Sequence, residues 1–423
     1  MRSRIATAGM GAAVLLLLSA CGSAAAERSA ESSAPSASMS MPSAPSGSMT
    51  MPPAPSSSPS SAPPPAPATS AVPPAIANQL PGMPPVRDAA NVAADAGAGM
   101  LGPAAAAATP MVYVPHNSGD VWEIDPATFQ VVRRFRAGTE IQHVVPSWDM
   151  RTLYATDDLG ATSITPIDPV TGLPSAKIPV VDPYNMYFTP DGKAAISVAE
   201  ELRSLVFYDP QTWVEQGRLT IPECAGIDHA DFSEDGRTAV FTCEFAGRVA
   251  VVDIPSRTTL RIIDMPVRNT HMGPQDIKLA PDGSRWYIAD SDQGGLWVLD
   301  AAATAVIGQI PTGAGAHGIY YSRDASQLYV SNRHDNSVSV LDSRTGAAIT
   351  SWHIPGPSSP DMGGVTADGS QLWLSGRYDS EVYVLSTADG SLIRRIKVGE
   401  GPHGLCVWPQ PGRYSLGHTG ITR

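Results

Sequence analysis

The chain has 423 residues, with 40 prolines, 38 glycines, four cysteines and a formal net charge of −12 at pH 7. Nucleic acid needs a concentrated basic face. The neighbouring basic pairs here, Arg133-Arg134 and Arg394-Arg395, are isolated, so the charge argues against that class of partner. Length alone permits two or three domains, but composition divides the chain near residue 108.

The opening "MRSRIATAGMGAAVLLLLSAC" carries Arg2 and Arg4, then an apolar run from Ala12 to Leu18, then small residues. That is the layout of a secretory signal, and it is too short for a membrane span. Leu18-Ser19-Ala20-Cys21 resembles the bacterial lipobox. The resemblance implies that residues 1–20 are removed and that Cys21 is acylated. The chain would then be a bacterial lipoprotein, held by palmitate-type chains on the extracytoplasmic face of the cell membrane.

Residues 21–108 are mostly Ser, Pro and Ala, as in "SAPPPAPATSAVPPA". Such a segment cannot bury enough apolar surface to offset its ordering entropy, so a disordered tether is expected. As coil it would reach on the order of 50 Å. Within it, "SMSMPSAPSGSMTMP" sets Met39, Met41, Met49 and Met51 in two Met-x-Met pairs. Thioethers are soft ligands that suit Cu(I). The plainer reading is a duplicated low-complexity unit, since no His or Cys accompanies them.

From Met111 onward one pattern recurs: a strand, a polar loop, a second strand, then Asp. It is seen in "VYVPHNSGDVWEID", "TAVFTCEFAGRVAVVD" and "QLYVSNRHDNSVSVLD". The closing residues are Asp125, Asp168, Asp209, Asp253, Asp300, Asp342 and Ser386, with spacings of 43, 41, 44, 47, 42 and 44. Two more strands per unit lie before and after the "PDG"-type turns. A period in the low forties with four strands per unit predicts a β-propeller. First strands begin at His143, Asn185, His229, Asp276, His317, Met362 and His403. The chain starts on the second strand of a blade and finishes on an isolated first strand, "HGLCVW". The expectation is an all-β, seven-bladed propeller of four-stranded antiparallel blades over 109–410. It is closed by pairing of its terminal strands, with 411–423 as a tail.

The units "LYVSNRHDNSVSVLDSRTG" and "AHGIYYSRDASQLYV" look like the YVTN repeat family of bacterial surface and periplasmic propellers, of which YncE-like proteins are a branch. The resemblance implies the seven-bladed fold. It says less about activity, because propellers host lyases, lactonases and interaction platforms alike.

First strands line the channel, and their starting points gather at one mouth. There the repeat places His143, Asp228, His229, Asp276, His317, Asp361 and His403 as candidate ligand-binding residues. The ends of the second strands add His116, Asp157, Glu200, Glu244, Asp290, Arg333 and Arg377. Converging imidazoles and carboxylates suit a divalent transition metal or copper, with His143, His229, His317 and His403 as ligands, in a mouth expected to be solvated. Cys224 and Cys243 fall on one face of one blade and could pair in an oxidising exterior. No GxSxG elbow or HExxH helix occurs, so no catalytic residue is assigned. The leading expectation is a monomeric binding module for a small ligand, a metal or an extracytoplasmic protein. A metal-assisted lyase or lactonase at the same mouth, and a copper-handling protein, are the alternatives.

Overall fold

A computed structural model of the chain describes residues 79–158, 162–418 and 420–423. The signal segment 1–20, Cys21, the tether up to residue 78 and the four methionines Met39, Met41, Met49 and Met51 lie outside the described residues.

The described residues form seven antiparallel sheets, the blades of a β-propeller. Blade one is made of Met111–Pro115, Asp120–Asp125 and Gln130–Arg136, with Cys406–Trp408 as its innermost strand. The innermost strands of blades two to seven are Ile141–Pro146, Pro183–Phe188, Ile227–Phe232, Pro274–Leu279, Ala316–Tyr321 and Pro360–Val365. The ring closes as expected, with Met111, Val112 and Tyr113 opposite Trp408, Val407 and Cys406. Blade two departs from the pattern. Its outer strand is broken into Leu173–Pro174 and Ile178–Pro179, where prolines remove ladder donors.

The repeated Asp has a local cause. Each one closes the third strand and turns the chain by accepting hydrogen bonds from residues two to five further on. Asp125 takes the amide of Ala127, Asp168 that of Val170, Asp209 that of Gln211, and Asp342 that of Thr345. An Asx turn is thus written once per blade. Ser386 does the same through its hydroxyl.

The core is divided into seven apolar clusters, several of which join neighbouring blades. One joins Trp373, Val382 and Val384 of blade seven to Val112, Val114 and Val407 of blade one. No blade covers both its faces alone, so the ring is the unit of stability.

Both ends depart from the sequence-based domain boundaries. Residues 79–108 were expected in the tether, yet they cross the face that carries the "PDG"-type turns. Leu80 donates its amide to Asp235 and Val92 to Pro281, and Leu80, Val92, Ala96 and Ala105 are buried. The expected tail 411–423 is no tail. Ser415–Gly417 and Ile421–Thr422 form a hairpin that adds to the inner edge of blade three, with Gly417 opposite Tyr187. Tyr414, Leu416 and His418 are buried by it.

Cys224 and Cys243 are joined in a disulfide within blade four, and Cys406 is free and buried. Among the described residues no helix is long and apolar enough to cross a membrane.

Candidate metal centre in the channel

In a regular strand, neighbouring side chains face opposite ways. The inner strands break that rule at one place. Pairing with the second strand sets two consecutive residues against one: Gln142-His143, Asp228-His229, Gln275-Asp276, His317-Gly318 and Asp361-Met362. A β-bulge of this kind re-aims a side chain. A hydroxyl from the second strand fixes it. Thr156, Thr242, Ser331 and Ser375 accept the amides of His143, His229, Gly318 and Met362.

The bulges create two tiers. The upper tier holds Tyr184, Asp228, His317, Asp361 and His403, and the lower holds His143, Asn185, His229 and Asp276. All are buried, so the solvated mouth expected from sequence is instead an enclosed section of channel. A fifth histidine joins them. His418, at the tip of the C-terminal hairpin, lies 4.6 Å from His229 and 5.6 Å from His143 between ring centroids. Its φ of 50° is in the left-handed region, which a non-glycine residue adopts at a cost. Sequence reasoning left His418 in a tail. The alternation Tyr414, Leu416, His418 with Gly417 and Gly420 beside it was the available hairpin signal.

Two sets of three imidazoles each bring one nitrogen per residue within 4.8 Å of one another: His143, His229 and His418, and His229, His317 and His403. Electrostatics separates them. In the upper tier Arg333 Nε donates to Asp361 Oδ1 at 2.6 Å, and Arg333 Nη2 lies 2.6 Å from His317 Nε2. His403 Nδ1 lies 2.6 Å from Asp361 Oδ2, and Tyr184 Oη lies 3.3 Å from His403 Nε2. Burial works against the charges of this pair. Arg333 nevertheless holds Asp361 below the usual carboxylate range, and Asp361 holds Arg333 above the usual guanidinium range. Burial and then Arg333 push His317 well below 6.5, and burial and then Arg377 do the same to His403. His317 and His403 therefore face a fixed guanidinium.

In the lower set, Nε2 of His143, His229 and His418 has no hydrogen-bond partner, and neither does either oxygen of Asp228. His143 Nδ1 donates to the Tyr184 carbonyl at 3.0 Å, which leaves its Nε2 as the lone pair. His229 Nε2 lies 3.0 Å from Asp228 Oδ1, without hydrogen-bond geometry. Burial pushes His143 and His418 well below 6.5. For His229 burial also pulls downward, but Asp228 and then Asp276 outweigh it and its pKa is raised.

Asp276 is less available than the sequence suggested. Its oxygens accept from Ile277, Lys278 Nζ and the Ile319 amide, stitching blade five to blade six. Of the second-strand residues, Glu200 is pushed up to about 9 by burial and then by Asp228, and Glu244 to about 7 by the same two causes. His116 is buried in blade one, where its Nε2 accepts the Gly399 amide, and does not reach the cluster. Asp157 and Asp290 cap loops. Beyond His418 the hairpin borders a small recess open to solvent and lined by Lys278, Tyr320, Arg323 and Arg423. Lys278 and Arg423 are paired there with Asp276 and Asp231.

The repeat, the closed ring and the bulged inner strands can be set beside known proteins. Residues 300–411 match the YNCE-like beta-propeller family model. The match spans blade six, blade seven and the closing strand, where the sequence resemblance was strongest. Nothing among curated proteins matches the chain. Among solved structures, a functionally unknown protein from Desulfotomaculum acetoxidans aligns at 16% identity and TM-score 0.57, over 71% of this chain and 99% of that one. The hydrazine synthase of Kuenenia stuttgartiensis aligns at 18% and 0.52, over 62% and 87%. The dihydro-heme d1 dehydrogenase NirN aligns at 15% and 0.53, over 70% and 75%. At these identities the likeness is one of fold, and the YncE-like match adds no ligand.

Proposed function

We propose that this chain is a lipid-anchored, extracytoplasmic propeller that binds a divalent transition ion such as Zn²⁺ or Cu²⁺. Its ligands are His143, His229 and His418, with Asp228 beside them. One observation carries the reading: three buried imidazoles each bring a ring nitrogen within 4.8 Å of the others, their Nε2 atoms make no hydrogen bond, and Asp228, 3.0 Å from His229 Nε2, makes none either. Buried polar atoms without partners are rare and destabilising, and imidazole nitrogen suits these ions.

Calorimetric titration of the purified protein with Zn²⁺ tests this. One saturable site is expected, and no saturable binding to any of Zn²⁺, Cu²⁺ and Ni²⁺ would sink the reading. Its pH dependence is specific. Ligand nitrogens must be unprotonated, so acid weakens binding. His143 and His418 are already neutral well below 6.5, whereas His229 takes up a proton above 6.5. Affinity should therefore fall about tenfold per pH unit as pH drops through His229's pKa. Three ordinary imidazoles would instead give a fall of about a thousandfold per unit below 6.5, and that slope would contradict the assignment.

The anchor has its own test. Cys21→Ala removes the acylated thiol, and the acidic, proline-rich segment has no affinity of its own for lipid. The variant is expected in the soluble fraction after a carbonate wash. Retention with membranes would refute the lipobox reading.

A further inference from the structure

Between two of the candidate ligands lies one side chain that decides which nitrogen they offer. Asn185 is fully buried. Its Nδ2 lies 3.1 Å from His229 Nδ1 and 2.9 Å from His418 Nδ1, while its Oδ1 accepts the Met186 amide at 2.8 Å. In this orientation the amide donates to both rings. A neutral imidazole that accepts at Nδ1 keeps its proton on Nε2, and an Nε2–H offers a metal no lone pair. The Nε2–H of His229 then faces Asp228 Oδ1 at 3.0 Å and that of His418 lies 3.8 Å from Asp276 Oδ1, neither in a hydrogen bond. His143 is set the opposite way, with Nδ1–H on the Tyr184 carbonyl and its Nε2 lone pair free.

One half-turn of the Asn185 amide puts all three rings in the same state. Its oxygen has two lone pairs, enough for two Nδ1–H donors. We propose that Asn185 is the positioning residue that commits His229 and His418 to Nε2 coordination, and that metal loading is accompanied by rotation of its amide. Each neutral ring moves its proton from Nε2 to Nδ1, so neither gains nor loses one. The Met186 amide gives up its Oδ1 acceptor in the loaded form, which keeps the metal-free orientation the resting one. Partners that hold the far nitrogen of a ligating histidine govern affinity by about 10- to 100-fold. A single residue that serves two of three ligands should lie at the upper end of that range.

This inference rests on the metal reading, and its test separates the two. Nitrogen NMR of the imidazoles, recorded on the alkaline side of His229's titration, reads the tautomers directly. In the metal-free protein His229 and His418 should show protonated Nε2 and bare Nδ1, with His143 the reverse. With Zn²⁺ all three should show protonated Nδ1. Asn185→Asp offers an acceptor to both rings in every orientation. It should show protonated Nδ1 before any metal is added and bind Zn²⁺ at least about tenfold more tightly. Asn185→Leu, similar in size and unable to bond, should weaken Zn²⁺ about 10- to 100-fold while melting close to the parent. Protonated Nδ1 on His229 and His418 in the metal-free parent would overturn the proposal. So would unchanged affinity in a folded Asn185→Leu variant. A parent that binds no metal defeats the metal reading alone, since the metal-free spectra of the parent and of Asn185→Asp still decide what Asn185 does.

Discussion

His418→Ala is expected to lower Zn²⁺ affinity by more than about 100-fold, beyond what loss of an outer partner causes. The ring supplies one of three unpartnered nitrogens and stands at the tip of a hairpin that enters the channel. The fold should survive. The hairpin is held by Tyr414 and Leu416 in the core and by Arg423, which donates to Asp231 at 2.6 Å, and none of these needs the imidazole. His334→Ala is the control. That ring stacks on Tyr378, 6.1 Å away between centroids, and belongs to neither histidine set. Calorimetry with Zn²⁺ on parent and both variants decides it. Equal affinity in the parent and His418→Ala would remove His418 from the site and return the choice to His229, His317 and His403.

Deleting residues 402–423 should abolish cooperative folding. The deletion takes the innermost strand of blade one and the hairpin on blade three, leaving the inner edges of both unpaired. It also removes Leu405, Val407, Trp408, Tyr414 and Leu416, all buried. At about 1.5–3 kcal/mol for each large apolar side chain, the loss is on the order of 10 kcal/mol, as large as the whole stability of a typical domain. Aggregation and a featureless thermal scan are expected. Deleting residues 79–105 takes Leu80, Val92 and Ala105 from the turn face and should lower the melting temperature while keeping one transition. A protein without 402–423 that melts like the parent would contradict closure of the ring.

What the sequence could settle alone is what local chemistry settles. An Asp that accepts the amides just beyond it turns the chain wherever it stands, so its recurrence from Asp125 to Asp342, with Ser386 in the seventh place, counted the blades before any contact was known. The terminal strands were legible by subtraction, because the first unit lacks its inner strand and the last unit offers only an inner strand. His143 and His229 were legible as channel residues because the repeat aligned them.

The remainder depended on contacts between distant parts of the chain. Composition assigned residues 79–108 to a tether, since a lone Leu80 or Val92 among prolines and alanines has nothing local to pack on. The face of turns supplies the missing surface. Repeat alignment could place His317 and His403 in the channel but could not show that Arg333 and Asp361 already occupy them. His418 lies outside the repeat, and its position follows from Gly417 pairing with Tyr187 across 230 residues of chain. At Gly417 an added Cβ would come within 2.5 Å of the Met186 carbonyl, so the hairpin lies too close to blade three for any side chain there. Tertiary structure thus moved the candidate site from four repeated histidines to two of them plus one that no period predicts. An inner strand specifies which residues face the channel, and only the packing of the channel specifies which nitrogens are left free.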